Sequence, residues 1–196
     1  KRKNSRMISS EQLLQIKKFA LNLDWNAAFN GNSKGNRHLF RVVKKSMELS
    51  QNKDFRFDII EASAWLHDLK LENIIIGNKS INEQRLNSFF KKISISTKDK
   101  NLILACISDN KIKLSEEAKI IKDANNLEKS GPLGIVREIW KRSQLGWHTE
   151  RIVDHLPHHL KIKEDGLHTL EAKQEASELN NQIQDFLKLI NKQLKE

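Results

Sequence analysis

Apolar residues recur at i, i+3 and i+4 along most of the chain and rarely alternate. That spacing belongs to helices that bury one face, so the pattern predicts a mostly helical protein. Ser9 and Gln12 have the spacing of a capping box, which starts a first helix at Ser9 or Ser10 and carries it to about Phe29. "NGNSKGN" then interrupts the pattern with turn-forming residues. A second helix follows at about 36 to 51, with Leu39, Val42, Val43 and Met47 on one stripe and His38 one turn before Val42. A third, at about 55 to 68, is apolar almost all round and ends in His67 and Asp68. Further helices are expected near 81 to 92, 97 to 108, 115 to 128, 132 to 143 and 148 to 156, where Pro157 should interrupt the last of these. The segment 169 to 195 is the longest, with Leu179, Ile183, Phe186, Leu187 and Ile190 set against a polar face.

No repeat or low-complexity linker marks a second domain, and a core of Leu39, Val42, Val43, Ile60, Ala64, Leu66, Ile121, Ala124 and Leu127 is expected. The length of 196 residues suits one domain, read here as a basic tail over residues 1 to 8 and a helical domain over 9 to 196. No apolar run reaches the roughly 20 residues needed to span a bilayer, and "KRKNSR" has no apolar stretch behind it that would make it a secretory leader. The expectation is a cytoplasmic protein with no membrane partner. Cys106 is the one cysteine, which excludes an intramolecular disulfide and a CxxC zinc site. Its place in "LILACIS" reads as a buried thiol.

A net charge of +10 ordinarily points to an anionic partner, but the lysines are scattered through the chain. Charge alone therefore carries little. A titratable pair at the end of an apolar helix says more, because unpaired polar groups near a core are costly. His38 and Asp123 lie on two other apolar helices, so three helices each carry ligand-capable side chains. Two imidazoles and two carboxylates suit Mn, Fe, Co, Ni or Zn, with Mg also accommodated, and leave positions for water and substrate.

The order His38, His67-Asp68, Asp123 resembles that of the HD-domain superfamily of metal-dependent phosphohydrolases. "RHLFRVVKKSMEL", "IIEASAWLHDLKLE" and "IIKDANNLEKSGPLGIVR" are similar to three core helices of its small, single-domain bacterial members, and "LKIKEDGLHTLEAKQEA" to the approach to their long last helix. The resemblance covers roughly residues 25 to 194. It implies an all-α, single-domain HD-type bundle and one divalent ion held by His38, His67, Asp68 and Asp123. It also implies hydrolysis of a phosphoester by metal-bound hydroxide, on a nucleotide or another small phosphorylated molecule.

Departures from the family narrow that expectation. Residues 69 to 122 contain no histidine, which argues against a second metal and against the cyclic-dinucleotide and mixed-valent iron branches. Third and fourth after Asp68 stand Leu71 and Glu72, where the guanosine-tetraphosphate branch has an acidic pair. Glu72 could orient a water in catalysis, although a solvent-facing helix cap is the simpler account of it. Lys34, Arg37, Lys70, Lys122 and Asn126 are candidate substrate contacts. Arg37 is the strongest of them, since it adjoins a candidate ligand. "HLPHH", with His155, His158 and His159, suggests a second metal site only weakly because of Pro157. The alternative reading is an HD-fold module that binds nucleic acid or a protein partner without turnover, or a metal-dependent nuclease. The sequence leaves the oligomeric state open.

Overall fold

The computed structural model describes residues 7–22, 37–51, 54–69, 75–76, 79–108, 114–160, 162 and 164–194. Among these the chain forms nine α-helices: α1 Ser10–Asn22, α2 Arg37–Ser50, α3 Phe57–Leu66, α4 Ile81–Lys92, α5 Thr97–Ile107, α6 Glu116–Glu128, α7 Gly131–Gln144, α8 Thr149–Leu160 and α9 Leu170–Leu194. A single 3-10 turn, Glu164–Gly166, precedes α9, and a minimal antiparallel ladder pairs β1 (Ile75–Ile76) with β2 (Lys79–Ser80). The fold class is all-α with a long C-terminal helix, as the periodicity predicts. The expected continuation of the first helix over 23 to 29 and the loop "NGNSKGN" lie outside the described residues.

The chain divides into two compact units, Lys1–Leu23 with Ser46–Ile121, and Asp24–Lys45 with Lys122–Glu196. In the first, α1 and α5 both pack on α3. The capping box at the start of α1 forms both of its bonds: Ser9 N–H donates to Gln12 Oε1 at 2.9 Å, and Gln12 N–H to Ser9 Oγ at 3.2 Å. Helix α3 is buried on every side from Ala62 to Leu66, which its near-uniform apolarity requires.

The start of α3 is held by charge. Arg56 donates to Asp58 at 2.6 Å and to Asp99 at 2.9 Å, while Ile8 N–H also reaches Asp58 at 2.8 Å. Burial raises the Asp58 carboxyl, but the bond from Arg56, then that from Ile8, outweighs burial and holds it below its usual range. Cys106 is buried on α5, with Sγ 3.7 Å from Ser115 Oγ, and burial pushes its thiol up.

The second unit packs α7, α8 and α9 around Ile135, Ile152, Leu156, Ile183 and Leu187. Phe186 of the expected α9 stripe packs against them, and Leu179 and Ile190 are half-buried. Gly131, φ +64°, turns the chain into α7. That φ favours glycine, and a Cβ there would stand 2.5 Å from Leu179 Cδ2, so a larger residue would also have to displace the end of the Leu179 side chain.

One expected boundary is corrected. Helix α8 does not stop before Pro157 but runs through it to Leu160. Proline removes one helical bond at a cost of roughly 3 kcal/mol. Burial of Ile152, Val153 and Leu156 anchors the helix on the side that packs, which offsets that loss. Of the expected core residues, Leu39, Val42, Ile60, Ala64, Leu66, Ile121, Ala124 and Leu127 are buried, and Val43 is half-buried.

Candidate metal centre

In the first unit, α3 ends at Leu66 and leaves carbonyls of its last turn without intrahelical partners. His67, the next residue, places Nδ1 2.7 Å from Ala64 O. A carbonyl only accepts, so Nδ1 carries the proton, and in the neutral ring the lone pair sits on Nε2. Asp68 Oδ1 lies 3.7 Å from that Nε2. The helix end thus aims an imidazole and a carboxylate together, with side chains only 4% and 15% exposed.

In the second unit, His38 stands in the first turn of α2 and is buried. Its Nδ1 lies 2.5 Å from Glu128 Oε2 at the end of α6. Glu128 also receives Arg41 Nε on its other oxygen and Arg137 Nη1 on the oxygen that meets His38. Burial pushes the Glu128 carboxyl up, but the bond from His38, then the bond from Arg41 and the charge of Arg137, hold it below the usual range.

Asp123, fully buried on α6, accepts from the start of α9. His168 N–H lies 3.0 Å from Oδ1 and 3.1 Å from Oδ2, and Thr169 donates its N–H and Oγ1 to Oδ2 at 2.8 and 2.9 Å. Thr169 Oγ1 in turn accepts Ala172 N–H at 3.2 Å and so caps the helix. Oδ2 carries most of these bonds, which leaves Oδ1 the oxygen with more acceptor capacity for another ligand.

Arg37 and Asn126 are exposed and Lys122 is half-buried, whereas Lys34, Lys70 and Glu72 lie outside the described residues. His155 of "HLPHH" meets Arg142 Nη2 at 2.9 Å, Glu138 Oε1 at 3.4 Å and the edge of Trp147, and His158 is exposed. His155 is therefore occupied by packing and polar contacts within the second unit.

Sequence reasoning missed Glu128, Arg41 and Arg137. A signal existed: Glu128 follows Ala124 by four residues and Ile121 by seven, so it falls on the buried face of α6, where an acid needs partners. Those partners are His38 and Arg41 of α2, 90 and 87 residues away, and Arg137 of α7, nine residues on.

No family model and no curated protein matches the chain. Solved structures do. An HD-superfamily hydrolase from Bacillus thuringiensis is similar at a TM-score of 0.77 and 22% identity, over 94% of this chain and 97% of that one. A Lactobacillus plantarum protein gives 0.75 and 22% over 96% and 99%. Bacillus subtilis YpgQ, solved in complex with ADP, gives 0.74 and 18% over 93% and 97%. Together with the His, His-Asp, Asp order on its helices, these likenesses show that the chain has the HD-domain fold.

Proposed function

We propose that the protein is a metal-dependent phosphohydrolase in which His38, His67, Asp68 and Asp123 hold one divalent ion. The observation that carries this reading is shared by both imidazoles. Each has Nδ1 directed at an acceptor, Ala64 O or Glu128, so that Nε2 is the ring atom presented to a ligand. That is the arrangement a histidine adopts when it serves a metal.

The chemistry these residues would gain from a bound divalent ion would be polarisation of a phosphoryl oxygen and a more acidic bound water. The protein's part is to fix the two rings, supply two carboxylates from buried or nearly buried positions, and meet substrate charge with a cation. Arg37, exposed and next to His38, suits that last role, and Lys122 and Asn126 are the further contacts among the described residues. The likeness to YpgQ in its ADP complex favours a nucleotide as the substrate class. No described helix is long and apolar enough to cross a membrane, and the buried lone cysteine suits the reducing cytoplasm.

Elemental analysis should find about one divalent ion per chain after remetallation, and a panel of nucleotides and sugar phosphates should show turnover. Asp68→Ala should abolish both. Arg37→Ala should keep the ion but slow turnover by about 10 to 1000 fold if it steadies charge on the phosphate. Hydrolysis that survives Asp68→Ala would overturn the proposal. The net charge of +10 supports a second reading, a binding module. Salt-sensitive binding of nucleic acid without turnover on the panel would put that reading in its place.

A further inference from the structure

Glu128 is an acid on the apolar face of α6, and burying an ionised carboxylate is costly unless every oxygen is engaged. Here both are. Oε1 receives Arg41 Nε, and Oε2 receives Arg137 Nη1 and faces His38 Nδ1 at 2.5 Å. Three elements, α2, α6 and α7, are thus joined through one carboxylate within the second unit.

Hydrogen accounting settles which way the imidazole faces. Arg137 Nη1 also lies 3.1 Å from His38 Nδ1, but a guanidinium has no lone pair to offer. Nδ1 could therefore be an acceptor from Arg137 or a donor to Glu128. Were it an acceptor, its lone pair would confront a carboxylate oxygen at 2.5 Å with no proton between them, which is strongly repulsive. Nδ1 is the donor, and with Glu128 held ionised by the two arginines the bond is charge-assisted.

The two arginines have their own part. A guanidinium keeps its proton at any physiological pH and presents a planar fork, so Arg41 and Arg137 keep Glu128 an acceptor and fix the plane of its carboxylate. Fixing that plane fixes the imidazole bonded to it.

We infer that Glu128, braced by Arg41 and Arg137, is the positioning residue that sets the tautomer and orientation of His38 and thereby presents Nε2 to a divalent ion. The inference rests on the metal-dependent reading above. It adds to it a carboxylate and two arginines that act on the ion through His38.

Two measurements test this. In chelator-stripped wild type, long-range 15N–1H NMR, with His38→Gln to assign the signal, should show the neutral His38 ring protonated on Nδ1 and bare on Nε2. The Nε2–H tautomer would overturn the inference without any variant having to fold. Second, Mn2+ titrated into stripped protein should bind Glu128→Ala about 10 to 100 fold more weakly than wild type. Glu128→Gln, whose amide oxygen can still accept from Nδ1–H, should bind less than tenfold more weakly. Wild-type Mn2+ affinity in a folded Glu128→Ala would sink the role given to Glu128 while leaving the metal reading intact. A wild type that takes up no metal would overturn the metal reading first, and this inference with it.

Discussion

The carboxylate of Asp123 accepts the backbone N–H of Thr169 at 2.8 Å, across 46 residues of sequence. It takes His168 N–H and the Thr169 hydroxyl as well, and so gathers donors at the start of α9 onto one buried acid. Asp123 therefore has a task in the metal-free protein. In chelator-treated samples Asp123→Ala should lower unfolding free energy by about 2 to 3 kcal/mol, the range for hydrogen bonds to a charged group whose partners are left buried. Urea denaturation measures it. Equal stability of wild type and variant would show that these bonds contribute nothing to holding α9.

Gly131 supports a second expectation. Its φ of +64° is strained for an L residue, and a Cβ there would meet Leu179 Cδ2 at 2.5 Å. Gly131→Ala should cost about 1 to 3 kcal/mol. Combined with Leu179→Ala, it should cost less than the sum of the two single changes, because the steric part is relieved and the backbone part remains. Strict additivity in a double-mutant cycle would place the whole penalty in the backbone.

The third concerns acid. Asp58 has a folded-state pKa below its ordinary value of 3.8. The stability it contributes is therefore complete above about pH 3.8 and is lost as pH falls through the lower folded value. Arg56→Leu removes the guanidinium shared by Asp58 and Asp99, and should destabilise by on the order of 3 kcal/mol at neutral pH. The gap between variant and wild type should close below pH 3.8, as Asp58 protonates in both proteins. Denaturation curves from pH 2.5 to 7 read this out, and a gap that is constant over the range would show that Arg56 acts through packing alone.

The helices were legible because their signals are local. Ser9 and Gln12 announce the start of α1, and the apolar stripes place α4, α6, α7 and α9 to within a residue at each end. His67 and Asp68 were legible for a related reason, since a polar pair closing an apolar helix stands out within a dozen residues. Pro157 misled because a local rule met tertiary packing, and the packing of α8 prevailed. The partners of His38 were not legible. Glu128 is 90 residues away and Arg137 is 99, and no sequence period relates positions on three different helices. The division into two units, each assembled from two separate stretches, lies beyond periodicity for the same reason.

The lone cysteine makes the first unit its own reporter. Cys106 is enclosed on α5, and its thiol is held in the unreactive form by burial. A bulky maleimide can reach it only during an opening event. When closing is fast compared with labelling, the rate of modification is the intrinsic thiol rate multiplied by the opening equilibrium constant. One chain, unmodified and without an engineered probe, can therefore be timed by mass spectrometry as α5 separates from its surroundings. No second cysteine contributes a competing signal.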